Sequence, residues 1–142
     1  MVLFDINIYI YCHREDSPHH VPIIKYVEQI FSGVHPFGYS PLALSGFLRI
    51  VTHPKIFTPP TDSSIALQFI NEIITLPHAI KITPGNMHWD IFTELCVKSK
   101  ATGNLIPDAY FAALAMEAGC TWITTDRDYS KFPGLDWQDP LA

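Results

Sequence analysis

Pro107-Asp108-Ala109-Tyr110-Phe111-Ala112-Ala113-Leu114-Ala115-Met116-Glu117-Ala118-Gly119-Cys120-Thr121-Trp122-Ile123-Thr124 decides the fold class. From Ala109 to Met116 nearly every side chain is apolar. A helix that is apolar all round has no solvent face and belongs inside a domain. Proline suits the opening of a helix, so Pro107 is read as its start, and Gly119 supplies the C-terminal cap that favours a residue without Cβ. Thr121 to Thr124 is short, β-prone and apolar at its centre, and is read as a buried strand. Asp126 and Asp128 follow it directly.

The same grammar recurs outward from this segment. Val2-Leu3-Phe4 is a short apolar strand that ends on Asp5, and residues Ile6 to Cys12 are read as the first turns of a helix. His13 to Pro18 is polar and is expected to be a loop. Ile23, Ile24, Val27, Ile30 and Phe31 recur at helical spacing and predict a helix over His19–Phe31, ended by Gly33. Pro36 to Tyr39 suggests a strand. Ser40-Pro41 is an N-cap followed by proline, and Leu44, Phe47, Leu48 and Val51 predict the helix behind it. His53-Pro54 stops that helix, and Thr58 to Asp62 is a proline-rich loop. Ala66, Phe69, Ile70 and Ile73 mark another helix that Pro77 stops. Ala79 to Thr83 predicts a strand, Met87 to about Lys100 a helix after the turn Pro84-Gly85-Asn86, and Leu135 to Gln138 a last strand. Asp126 to Phe132 is a helical turn or loop. Strands alternating with helices predict an α/β domain with a parallel sheet, covering residues 1–142 as one unit. The pattern leaves the order of the strands open.

Bulk composition narrows the functional classes. With 48% hydrophobic and 16% charged residues over 142 positions, the chain is a compact globular protein rather than a disordered one. No apolar run reaches the roughly 18 residues of a membrane span, so no membrane association is expected. No secretory signal is expected, since no basic segment followed by an apolar run and a cleavage site is seen. Cys12, Cys96 and Cys120 are odd in number and far apart, which argues against a disulfide framework or zinc site and for a reducing cytoplasm. A net charge of −5 disfavours strong nonspecific nucleic-acid binding through phosphates. A carboxylate cluster for a metal would itself contribute to that acidity.

Open parallel sheets carry their functional residues beyond the carboxyl ends of the strands. Asp5 lies at one such end, Asp126 and Asp128 at another, and Asp108 opens the buried helix near the sheet. Carboxylates gathered at the ends of buried elements repel one another unless a cation lies between them. A hard divalent ion such as Mg2+ fits, because it takes a few carboxylates and leaves positions for phosphate oxygens. Each residue also has a plain structural role open to it. Asp5 is an acceptable N-cap, Asp108 complements a helix dipole, and Asp126 and Asp128 suit a turn. Arg14, Arg49, His53 and Lys55 offer a basic rim for RNA phosphates, although Arg49 equally suits a salt-bridged helix face. His13, His19 and His20 lack paired ligand spacing and are read as surface histidines. Trp89, Trp122 and Trp137 are expected in the core, and Glu94 and Glu117 on solvated helix faces.

Four segments occur together in order: Asp5-Ile6-Asn7 after the first strand, Leu48-Arg49-Ile50-Val51-Thr52-His53-Pro54, Pro107-Asp108-Ala109-Tyr110-Phe111-Ala112-Ala113-Leu114-Ala115, and Thr124-Thr125-Asp126-Arg127-Asp128-Tyr129. The set resembles the PIN-domain ribonucleases of VapC type, the toxins of toxin–antitoxin pairs, over essentially the whole chain. The resemblance implies a PIN-like three-layer α/β sandwich, a central parallel sheet flanked by helices. It implies endoribonuclease activity dependent on Mg2+ or Mn2+, an RNA substrate, a cognate antitoxin and commonly a homodimer. By the same resemblance Asp5, Asp108 and Asp126 are the catalytic metal-site residues. Asn7 would orient Asp5 or a water, Thr125 would supply a supporting hydroxyl or be simply a strand-end polar residue, and Asp128 is a more peripheral acid; Arg49 is a candidate for substrate contact on its charge. One departure stands out. Many PIN domains carry a glutamate on the helix before the Leu-Arg pair, and alignment on Leu48-Arg49 puts Gly46 there, beside Ser45. That loss keeps open the alternative of a catalytically weak or inactive PIN-like module that binds RNA or an antitoxin. A phosphatase with a nucleophilic aspartate is the other enzyme class weighed; Asn7 stands where its second aspartate would be, and no downstream lysine is evident.

Overall fold

The computed structural model describes residues 1–142. Five short strands form one sheet: β1 (Val2–Phe4), β2 (Phe37–Tyr39), β3 (Ala79–Lys81), β4 (Thr121–Ile123) and β5 (Trp137–Gln138). Six helices connect them: α1 (Ile6–His13), α2 (His20–Phe31), α3 (Pro41–Val51), α4 (Ser63–Ile74), α5 (His88–Ser99) and α6 (Leu105–Ala118). A 3-10 turn spans Arg127–Lys131.

The strand order is β3-β2-β1-β4-β5, with every pairing parallel. Parallel strands need crossovers, and here each crossover carries two helices except β4 to β5, which the 3-10 turn spans. The chain steps outward from β1 to β2 and β3, then returns to β4 on the other side of β1. That reversal lies between β1 and β4, where open α/β sheets form a crevice at the strands' carboxyl ends. The register pairs Leu3 with Trp122 and Phe4 with Ile123. Phe4 packs edge-on against Tyr9 of α1 and Phe31 of α2. Trp122, one step out of phase with Ile123, stacks on Phe111 of α6. Successive strand residues point to opposite faces, so α1 and α2 cover one face and α6 the other. The sheet is thus the middle layer of a helix–sheet–helix sandwich, as the family resemblance implied.

Local chemistry accounts for the helix starts. Asp5, Ser40 and Asp62 each cap a helix by accepting a backbone N–H with the side-chain oxygen. The helix assigned from Pro107 begins two residues earlier, at Leu105. Proline lacks an N–H, and the first-turn N–H groups need no intrahelical partner, so Pro107 is accommodated inside that turn. β3 ends at Lys81 rather than Thr83, and β5 begins at Trp137 rather than Leu135. His13, expected in a loop, is the last residue of α1. Its ring lies against Phe47 and Phe69, and its Nε2 is 3.1 Å from Thr61 Oγ1.

One surface expectation is corrected and a second residue gains a role. Trp89, expected in the core, is 63% exposed. It lies near the start of α5, next to His88, and one indole without neighbours in its sequence pattern does not say which side of a helix it takes. Glu117, expected on a solvated face, accepts the backbone N–H groups of Gly85 (2.6 Å) and Met87 (2.9 Å). It thereby caps the free N–H groups at the start of α5, which lacks a cap of its own. Those hydrogen bonds hold the Glu117 carboxyl below its ordinary range. Of the other two tryptophans, Trp122 is fully buried and Trp137 is partly so. Glu94 is exposed and pairs with Lys98 one helical turn on. The three cysteines are free thiols, and no helix is long and apolar enough to cross a membrane.

Candidate metal centre

The site begins at the end of β1. The backbone N–H of Asp5 still donates to Ile123 of β4 (2.9 Å), so the residue belongs to the sheet. Its side chain already faces α1, where the Ile6 N–H donates to Oδ1 (2.7 Å). Cap and site are therefore the same residue. The other oxygen, Oδ2, accepts the Thr124 hydroxyl (2.7 Å) and the Asn7 amide (3.2 Å). Asp5 is only 6% exposed. Burial pushes its carboxyl up to about 6, against the opposing pull of the Thr124 and Ile6 hydrogen bonds and with a push from Asp108 and Asp126.

Thr124 is the fully buried tie between the two strand ends. Its oxygen donates to Asp5 and accepts from Asn7 Nδ2 (3.2 Å) and from the Asp126 backbone N–H (3.0 Å). The supporting hydroxyl that the resemblance assigned to Thr125 comes from Thr124 instead. Thr125 contributes its backbone N–H, which donates to Asn7 Oδ1 at 3.4 Å. Strand alternation gives the reason: of two adjacent residues at a strand end, one faces inward, and Thr-Thr reads the same whichever it is.

Asp126 then caps the 3-10 turn, its Oδ1 accepting the Asp128 N–H (2.9 Å). The turn swings Asp128 back toward α6, so that one oxygen each from Asp108, Asp126 and Asp128 lies within 4.8 Å of the others. Asp128, assigned a peripheral place, thus joins the converging set, although it is exposed and also pairs with Lys131 (3.2 Å). Asp108 is half-buried in the first turn of α6. Burial, then the neighbouring Asp126, pushes its carboxyl up to about 6. The Tyr129 hydroxyl donates to its Oδ1 at 3.4 Å. That phenol is held neutral far above its usual range by burial and by the surrounding carboxylates.

Asp108, Asp126 and Asp128 thus converge with Lys131 as the nearby cation, and Asp5, whose two oxygens are engaged by Ile6, Thr124 and Asn7, lies beside that set rather than in it. An all-oxygen donor set of this kind suits a hard ion such as Mg2+ or Mn2+ and not a soft one. Arg49 is exposed and makes no salt bridge, so the ion-paired role open to it is not taken up. Arg14 is engaged otherwise: it pairs with Asp16, bonds the Pro59 carbonyl and covers the Phe57 ring. His13, His19 and His20 do not converge. His20 Nδ1 lies against the Tyr11 carbonyl, and His19 packs on the Tyr11 ring. At the expected glutamate position, a Cβ on Gly46 would meet Ile6 Cδ1 at 2.5 Å, so the Ile6 side chain fills that space.

A parallel α/β sandwich with an aspartate cluster at its switch point defines a class of protein, the PIN-like acidic-site domains. The chain belongs to the PIN domain family, whose pattern matches residues 2–135. The ribonuclease VapC43 of Mycobacterium tuberculosis is 36% identical over 141 residues, spanning 99% of this chain and 96% of that one. Among solved structures, VapBC-1 from nontypeable Haemophilus influenzae shares the fold with a TM-score of 0.70 at 16% identity, covering 100% of both chains. A toxin–antitoxin complex from Klebsiella pneumoniae matches with a TM-score of 0.62 at 17% identity, over 99% of this chain and 98% of that one.

Proposed function

We propose that the chain is a Mg2+- or Mn2+-dependent endoribonuclease that hydrolyses RNA phosphodiester bonds, and the toxin of a toxin–antitoxin pair that works as a homodimer. The convergence of Asp108, Asp126 and Asp128 beside the buried Asp5 carries this reading. Asp108 and Asp126 would hold the ion, with Asp128 beside them and Asp5 bound directly or through a water. Bound there, the ion supplies a Lewis acid for the scissile phosphate and lowers the pKa of a coordinated water. The chain's own residues arrange the rest. Thr124 and Asn7 fix the rotamer of Asp5, and Tyr129 orients Asp108. Arg49 presents a free cation for an RNA phosphate. The ribonuclease name of VapC43 and the fold shared with a toxin–antitoxin complex support the substrate class and the antitoxin partner.

A second reading has its own observation. Ile6 fills the space beside Gly46 where a further acid would stand, which favours a binding module that does not cleave. One experiment separates the two: incubation of an RNA pool with Mg2+ or Mn2+ and the wild type, Asp5→Asn or Asp108→Asn chain. Cleavage by the wild type that falls to background in both variants is expected. Undiminished cleavage by both variants would remove the proposed site, and an inert wild type would leave the binding module.

A further inference from the structure

Beside the carboxylates lies an apolar groove of about 440 Å3 that the roles assigned so far leave unused. Its walls include Ile6, Gly46, Arg49, Phe92, Pro107 and Tyr110. Ile6 follows Asp5 in the chain and Pro107 precedes Asp108, so the groove borders the acidic site, although no carboxylate lines it. The absent glutamate helps to make it apolar. Gly46 lets Ile6 lie against α3, where any larger residue would displace it. Tyr110 is braced: the buried His88 ring packs on it at 4.3 Å, with His88 Nε2 3.0 Å from the Tyr110 carbonyl. Phe92 lies 5.4 Å from Tyr110, and the exposed Trp89 lies 5.3 Å from Phe92. Aromatic rings thus run from open surface at Trp89 through Phe92 to Tyr110 in the early turns of α6. Arg49 is the groove's charged wall residue and is unpaired.

We propose that this groove is a nucleobase subsite, which takes one unpaired base of the RNA next to the scissile phosphate while Arg49 meets the adjoining phosphate. The inference rests on the ribonuclease reading. Three observations select the occupant. Two of its wall residues, Ile6 and Pro107, are chain neighbours of the metal-site aspartates Asp5 and Asp108. Its aromatic walls suit stacking on any base face. The chain carries a net charge of −5, so contacts of basic side chains with phosphates supply little RNA affinity, and base stacking would add to it.

Amide chemical shifts of the full chain, followed in Mg2+ during titration with each nucleoside 5′-monophosphate or with ribose 5-phosphate, test it. Nucleotides are expected to shift Ile6, Gly46 and Tyr110 and to bind at least about fivefold more tightly than ribose 5-phosphate, the low end of one base stack. Ser45→Trp, which fills the groove from an exposed wall position, should abolish that preference with folding unchanged by circular dichroism. Tyr110→Leu, which keeps an apolar residue, should reduce it. Equal affinity for ribose 5-phosphate, or shifts confined to residues outside the groove, would overturn the subsite. So would a Ser45→Trp chain that keeps the base preference but sediments as a different oligomer, which would make the groove a contact between copies. RNA cleavage measured alongside keeps the two readings apart. Cleavage without base preference overturns the subsite alone, and base binding without cleavage overturns the nuclease reading alone.

Discussion

The ends of β1 and β4 present the same residue type to the same site in opposite surroundings. Asp5, after β1, caps a full α-helix, accepts three hydrogen bonds and is nearly inaccessible. Asp126, after β4, caps a short 3-10 turn and is partly exposed, and Asp128 beyond it is open to solvent. One side of the site is thus rigid and dry and the other is wet and adjustable. A buried, fully engaged carboxylate is costly to ionise, and a nearby divalent ion offsets that cost. The rigid side holds geometry, and the wet side leaves room for a phosphate and water.

The hardest test of this asymmetry is removal of charge on the dry side. Asp5→Asn keeps the shape and an acceptor for the Ile6 N–H, yet RNA cleavage in Mn2+ is expected to fall to background. A next, smaller effect falls on the tie between the ends. Thr124→Val leaves Asp5, Asn7 and the Asp126 N–H without a shared partner. It should cost about 1–3 kcal/mol in urea unfolding and roughly 10–100-fold in Mn2+ affinity by calorimetry, as loss of a supporting contact commonly does. Thr125→Val, beside it, should change stability by less than about 0.5 kcal/mol. Equal costs at the two positions would contradict the placement of the hydroxyl.

The asymmetry also has a pH signature. Asp5 and Asp108 titrate near 6 when folded and near 3.8 when unfolded. The folded state therefore binds more protons between those values, and their contribution to metal-free stability is full below about 4 and lost as pH rises through about 6. For Asp5 the difference is on the order of 3 kcal/mol; Asp108, partly exposed, contributes less because water screens it. Melting of the metal-free protein is expected to drop between pH 5 and 7.5. Mg2+ or Mn2+ should restore more stability at pH 7.5 than at pH 5, and a metal-free melting temperature that rises over that interval would refute the assignment. The smallest effect is expected on the wet side. Asp126→Asn retains the acceptor for the Asp128 N–H and should shift metal-free stability at pH 7.5 by less than about 0.5 kcal/mol, whereas Asp5→Asn should raise it by relieving a buried charge.

Much of this is legible in the amino-acid sequence. Leu44, Phe47, Leu48 and Val51 mark α3 because their spacing matches one helix face, and Ser40-Pro41 marks its start because capping is a contact between near neighbours. The four aspartates were legible as candidates because each ends or opens an element. Trp89 and Glu117 were not. Which side of α5 faces out depends on how it packs on α6, and Glu117 caps a turn 32 residues away. The groove was not legible either, since Ile6, Gly46, Phe92 and Tyr110 belong to four different helices.

The sequence by itself determined the elements and the carboxylates at their ends, because periodicity, capping and strand termini are short-range properties of the chain. Only the tertiary structure decided the strand order, and with it which acids meet. Asp5 and Thr124 lie 119 residues apart and share a hydrogen bond because β1 and β4 are neighbours in the sheet. Whether Thr124 or Thr125 faces Asp5, and whether Asp128 comes near Asp108, follows from sheet register and the placement of one 3-10 turn, and those depend on packing across the whole domain.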